Sequence, residues 1–294
     1  MPAADRPVWL KTITEPRKTL FYGRFYAHSK LAASRGEYCC YPMVPERPHL
    51  GWKLARLCGL RLTNRPSSAT RIAQAFCSHT QFELPPQPDL PAGVRVLNER
   101  CLDVSKVRVE AAHSEAFGYG MAVDPRTHEG AMVEKGDENA AHDGRVLQGP
   151  IQDPKPGSVY QVEIDNRADA IDGRPVREPM VVDMRVMVVG DELPVGFRKY
   201  RLESERFLNT NEHASWHEVG ELLDDAEQSQ VLAFAGAMGL DLGEIDVLRD
   251  RTSGRIYAID VNPTPHSPPG VLEGPIVAYS LMKRAAAAFE RQWL

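Results

Sequence analysis

The apolar positions of this chain fall into two rhythms. Between Asp224 and Gly239, the residues Val231, Leu232, Phe234, Ala235 and Met238 recur at three-to-four spacing. That spacing lines one face of a helix, with Asp224 or Asp225 at its start and Gly239 as its stop. A last helix from about Pro275 turns Ile276, Tyr279, Met282, Ala286, Phe289 and Trp293 inward. Upstream, DVSKVRVEAAHSEAF at 103–117 reads as a helix capped by Asp103 or Ser105. The second rhythm is strand-like, with β-branched residues in alternation. It marks VRVLN at 94–98, AMVEK at 131–135 and SVYQVEI at 158–164, with the polar GDENAAHDG as a loop between the last two. PMVVDMRVMVVGDELPVGFRKYRL at 179–202 reads as two strands joined near Gly190 and Asp191. GEIDVLRD at 243–250 and RIYAIDVN at 255–262 read as a pair around an R-T-S-G turn. The fold class this predicts is α+β, with no internal repeat.

The first 95 residues are less regular. A short helix is expected from Trp52 to Leu60, among prolines at 42, 45 and 48. The densest proline cluster, PPQPDLPAG at 85–93, disfavours both helix interior and central strand, so the first boundary is placed there.

At 294 residues, with 43% hydrophobic and 26% charged positions, the chain can bury a substantial core. A formal charge of −5 offers no overall attraction to polyanions, so neither nucleic acid nor an anionic membrane is an expected partner. No run of about 18 apolar residues occurs, and MPAADRPVWLKTITEPRK lacks the apolar core of a signal peptide. A cytoplasmic location is the expectation. The cysteines at 39, 40, 58, 77 and 101 are odd in number and show no C-x-x-C spacing, so reduced, packed thiols are expected instead of disulfides or a zinc site.

The candidate chemistry lies in the last strand pair. Alternation puts Ile256, Ala258, Asp260 and Asn262 on one face, and Tyr257, Ile259 and Val261 on the other. Asp246 alternates against Ile245 and Val247 in the partner strand. A connecting loop of three or five residues would set Asp246 and Asp260 on the same face, whereas a loop of four would separate them. Two such carboxylates repel unless a cation lies between them, and the Asn262 amide adds a hard neutral ligand. This set suits magnesium that keeps water and phosphate oxygens in its shell.

The stretch AMGLDLGEIDVLRDRTSGRIYAIDVNPTP at 237–265 resembles the ending of ATP-grasp proteins, an acidic strand followed by a strand closing on E-x-N or D-x-N and then Pro. VVDMRVMVVG at 181–190 resembles the family's D-x-R strand, and SVYQVEI its adenine hinge. The resemblance covers about residues 95 to 265. It implies an ATP site with Lys106, Lys135 and Arg185 at the phosphates and Gln161, Val162, Glu163 and Ile164 at the base. It also implies Asp246, Asp260 and Asn262 at Mg2+, or Mn2+ in its place. His142 is a further phosphate-side candidate. Arg198 or Lys199 would face the transferred phosphoryl group, and Arg206 and Asn211 would border the acyl substrate. Two departures stand out: only Gly136 and Gly144 punctuate the loop after Lys135, and the metal motif is Asp-Val-Asn.

The resemblance further implies an ATP-grasp fold. Residues 1–93 would form a small substrate-side domain, 94–164 the first ATP-grasp subdomain and 165–294 the second. The activity implied is a ligase that phosphorylates a carboxylate with ATP and joins it to an amine or thiol, giving ADP and phosphate. Its partners would be a small-molecule carboxylate and amine, and a homodimer is left open. A small-molecule kinase acting on a hydroxyl and a non-catalytic nucleotide-binding module are the alternatives.

Overall fold

The structure, a computed structural model, describes residues 16–31, 34–272 and 274–294. Most of the opening stretch read above for an export signal lies outside these residues. Helix α1 spans Pro16–Leu31, followed by β1 (Gly36–Pro42), α2 (Leu50–Leu57), β2 (Leu60–Thr63), β3 (Thr70–Phe76) and β4 (Arg95–Leu97). The four strands form a parallel sheet in the order β2-β1-β3-β4. The sheet therefore extends past the proline cluster to Leu97, whereas the sequence reading set its boundary at 93.

Helix α3 (Lys106–Phe117) starts after Ser105, the second of the two caps read from the sequence, whose hydroxyl accepts the Arg108 N–H. A small sheet follows, ordered β6-β5-β7, from β5 (Gly130–Gly136), β6 (Arg145–Gly149) and β7 (Ser158–Val162). The large sheet is ordered β11-β10-β9-β12-β13, with β8 (Arg167–Ile171) paired to the first half of β9 (Arg174–Val189). Its other strands are β10 (Gly196–Leu202), β11 (His213–His217), β12 (Leu242–Arg249) and β13 (Ile256–Asn262). A 3-10 turn at Glu203–Glu205, the short α4 (Val219–Leu222), α5 (Asp225–Met238) and α6 (Pro275–Trp293) complete the chain. At α5, Asp224 forms a capping box with Glu227, and Gly239 closes the helix at φ 72°.

The two faces of the large sheet have different fates. Met184, Val186, Val188, Ile245, Val247, Ala258 and Val261 lie under α3 and α5 in one apolar core. On the opposite face, Met187, Val189, Phe197 and Leu242 join a second core with α1, α2, α6 and the parallel sheet. Further along that same face the apolar residues give way to Asp183, Arg185, Lys199, Glu244 and Asp246. These charged side chains are themselves mostly buried, Glu244 and Lys199 almost completely.

Register decides which acids meet. The turn between β12 and β13 holds six residues, 250–255, counted from the strand ends. In a regular ladder Arg249↔Ile256 and Val247↔Ala258 would place Asp246 opposite Ile259. A β-bulge between Asp246 and Val247 takes up the extra residue and sets Asp246 opposite Asp260, and Glu244 opposite Asn262. The face assignment made from simple alternation is corrected accordingly. Ile256 and Ala258 belong to the helix-covered core, while Asp260 and Asn262 turn with Asp246 to the other side. The N–H of Ala258, next to the bulge, donates to His113 Nδ1 on α3 at 3.3 Å. His113 is fully buried, and burial lowers its pKa from 6.5 to about 4, so the ring stays neutral and free to accept.

Candidate functional site

The sheet brings β9, β10, β12 and β13 side by side, so residues one strand apart share a row. Arg185 on β9 lies opposite Asp246 on β12, and its Nε and Nη2 both donate to the Asp246 carboxylate at 2.8 Å. From β10, Lys199 Nζ donates to the same two oxygens at 2.9 and 3.0 Å. Burial acts to raise the Asp246 pKa, but Arg185 and Lys199 outweigh it and hold the carboxyl well below the usual carboxylate range. Lys199 is itself buried, and that burial lowers its pKa. Arg198, its neighbour, pairs with Met184 and so projects to the opposite side of the sheet.

On the next strand Asp260 uses Oδ1 to accept from Lys106 Nζ at 2.5 Å. Lys106 opens α3, and its ammonium also lies 3.3 Å from Asn139 Oδ1 in the loop after β5. Lys135, near the end of β5, faces the same space. Burial, then the charge of Lys106, lowers its pKa to about 8, against the pull of Asp260, Glu110 and Asp143. Four cations, Lys106, Lys135, Arg185 and Lys199, thus share this space with Asp246 and Asp260, and the buried Glu244 lies beside Arg185.

The Asn262 side-chain oxygen accepts the Thr264 N–H at 3.0 Å, which fixes it at the strand end and leaves it a second lone pair. Among the described residues no group of three or more His, Cys, Asp or Glu side chains is arranged to hold a metal ion alone. Two carboxylates opposite each other, with an amide two residues along the strand from Asp260, are a set of hard oxygens that needs phosphate or water to complete a magnesium shell.

Beside this row, Met121, Ile164, Leu248 and Tyr257 form a separate apolar cluster, with Val162 and Ile259 packed against it. The segment after β7 passes along it. Gln161 Nε2 donates to Glu110 at 3.1 Å, and Glu163 accepts from Arg206 Nη1 at 2.6 Å. Arg206 is therefore turned toward this segment, with further bonds to the Ile164 carbonyl and Asn166. His142 lies exposed in the loop after β5 with φ 53°, and the Asn211 side-chain oxygen is buried without a partner.

Sequence reading missed Glu244. It is 1% exposed, lies 3.5 Å from Arg185, and neither carboxylate oxygen has a hydrogen-bond donor. Burial raises its pKa. Its place two residues before Asp246, on the same side of the strand, was the available signal.

No protein-family model matches the chain, and no curated protein matches it. Solved structures do. The likeness is to ATP-grasp proteins. A RimK domain protein of the ATP-grasp type from Sphaerobacter thermophilus is 10% identical, over 86% of this chain and 98% of that one, with a TM-score of 0.47. VanG D-Ala:D-Ser ligase from Enterococcus faecalis is 15% identical, over 78% and 74%, at 0.42. The ATP-grasp ligase PsnB, complexed with its minimal precursor, is 17% identical, over 66% of this chain, at 0.42. The chain spans 65% of the PsnB length.

Proposed function

We propose that the chain is an ATP- and magnesium-dependent ligase of the ATP-grasp type, which activates a carboxylate as an acylphosphate and passes the acyl group to an amine or thiol. The observation that carries this reading is the convergence of Lys106, Lys135, Arg185 and Lys199 on the Asp246–Asp260 row, beside the apolar cluster of Met121, Ile164, Leu248 and Tyr257. A charged row next to an apolar cluster matches a triphosphate joined to a flat base.

Magnesium carried in with the nucleotide would be held by Asp260 and Asn262, which keep unshared oxygen lone pairs, and by Asp246 once it gives up part of its four bonds to Arg185 and Lys199. Such an ion would neutralise charge on the phosphate oxygens. The chain's own contribution is electrostatic. Lys135 and Arg185 stabilise charge on the phosphoryl group as it moves to the carboxylate oxygen, each donor being worth about 3 kcal/mol of barrier. Arg185 is already oriented by its two bonds to Asp246, so little reorganisation is needed. Lys199, bonded to the same carboxylate, supports that orientation from the neighbouring strand. In the second step the nucleophile attacks the acyl carbon and inorganic phosphate leaves with the bonding electron pair.

The test is to incubate the protein with magnesium and ATP against a panel of carboxylates with and without amines, reading ADP and free phosphate separately. ADP and phosphate appearing together, dependent on both acceptors, is the expected result. ADP without free phosphate would make the protein a kinase, and no ADP under any pairing would remove the catalytic reading.

A further inference from the structure

Arg206 stands between three parts of the molecule that the site brings together. It follows the Glu203–Glu205 turn after β10, yet its guanidinium is spent on the segment after β7: Nη1 to Glu163 at 2.6 Å, and Nη2 to the Ile164 carbonyl at 3.1 Å and to Asn166 Oδ1 at 2.9 Å. Asn166 in turn donates to Asp183 on β9 at 3.0 Å, and Asp183 accepts from Arg201 on β10. Arg201 closes the circuit by donating to the carbonyls of Arg206 and Leu208, each at 3.1 Å. The adjacent Phe207 lies with its ring centroid 5.5 Å from the Arg206 guanidinium and packs against Gly144 in the loop after β5. A Cβ at Gly144 would lie 2.4 Å from the Phe207 ring.

These bonds fix a stretch that borders both the small sheet and the apolar cluster. Ile164 belongs to that cluster, and Val162 packs on it. A planar fork that grips a carboxylate and a carbonyl at once sets both the position and the tilt of the backbone between them, which a single ammonium cannot do.

We infer that Arg206 is a positioning residue for recognition of the nucleotide base, acting through Glu163 and Ile164 and touching neither the phosphates nor the acyl substrate. The inference rests on the ATP reading above and adds to it a division of labour. Phosphate affinity resides in the cation row, and base selectivity resides in a segment whose shape is held from outside by Arg206.

Two probes separate the two. Magnesium AMPPNP engages phosphate and base sites together, whereas magnesium tripolyphosphate engages the phosphate site alone. Calorimetric titration of the wild-type protein is expected to detect both, with AMPPNP tighter and preferred over GMPPNP. Arg206→Gln should weaken AMPPNP about tenfold or more, the scale of lost charge-assisted hydrogen bonds. The same variant should flatten the AMPPNP to GMPPNP preference and leave tripolyphosphate affinity unchanged. Arg206→Lys, which keeps the charge and loses the fork, should fall between. A general structural role would weaken both probes alike, and that outcome overturns the inference, as does an AMPPNP affinity that Arg206→Gln does not move. Wild-type protein that binds tripolyphosphate but not AMPPNP also overturns it. Wild-type protein that binds neither probe fails the ATP reading itself, and the inference with it.

Discussion

The Asp246 carboxylate accepts four bonds from two cations, and that arrangement can be tested without knowing any substrate. Asp246→Asn keeps the side-chain volume and removes the charge, so Arg185 and Lys199 face each other across a neutral group. Lys199 is 3% exposed and cannot turn to water. Removing one member of a buried ion pair strands the other, a loss of about 3–5 kcal/mol. Urea denaturation at neutral pH should therefore show Asp246→Asn destabilised by about that amount. The second substitution Lys199→Met removes one stranded cation, and the double variant should recover about 1.5–3 kcal/mol relative to the sum of the single effects. Acid behaviour gives an independent check. A carboxyl whose folded pKa is held below its unfolded value adds stability above the unfolded value, and that stability is lost as pH falls through the folded one. The wild-type advantage over Asp246→Asn should persist at pH 5 and shrink only on further acidification below about 4, the unfolded value. A destabilisation by Asp246→Asn below about 1 kcal/mol, or additivity in the double variant, would refute the reasoning.

His113 is held neutral, with a pKa lowered from 6.5 to about 4, so the unfolded chain takes up its proton first and stability should decline as pH falls from 6.5 toward 4. His113→Asn should flatten that part of a stability profile measured by denaturant titration. Lys135 carries its charge below about pH 8 and loses it above, so tripolyphosphate without magnesium should bind more weakly at pH 9 than at pH 7 by calorimetry. Lys135→Met should lower affinity at pH 7 and remove most of that step. Gly144→Ala drives a methyl into the Phe207 ring, and a cost of about 1–3 kcal/mol should appear as faster proteolysis within residues 137–144, relieved by Phe207→Leu.

Where local rules decide the outcome, the chain was readable. Helix α5 begins and ends at residues whose chemistry leaves little choice, a capping box at Asp224 and a left-handed glycine at Gly239. The strand pair carrying Asp246 and Asp260 showed in its β-branched runs. The register between those strands was not readable, because a six-residue turn and a bulge act together and neither leaves a pattern in one strand alone. Strand β6 went unread for another reason: RVLQG is short, and Arg145, Val146 and Gln148 are exposed, so its pairing with β5 is fixed by the ladder and not by burial. The parallel sheet of the first hundred residues depends on contacts between strands far apart in sequence, which local periodicity does not record. Arg206 could be named as a candidate, but its partners Glu163 and Ile164 lie some forty positions earlier, and only the fold shows which of its neighbours it serves.

Helix α3 presents Lys106 at its first turn and His113 two turns later, about 10 Å along the axis. One end reaches the carboxylate of Asp260, and the other holds the backbone two residues before it. The helix thus works as a strut clamped at both ends to a single strand. Lysine and aspartate are thereby held at a spacing that the helix and the strand set together.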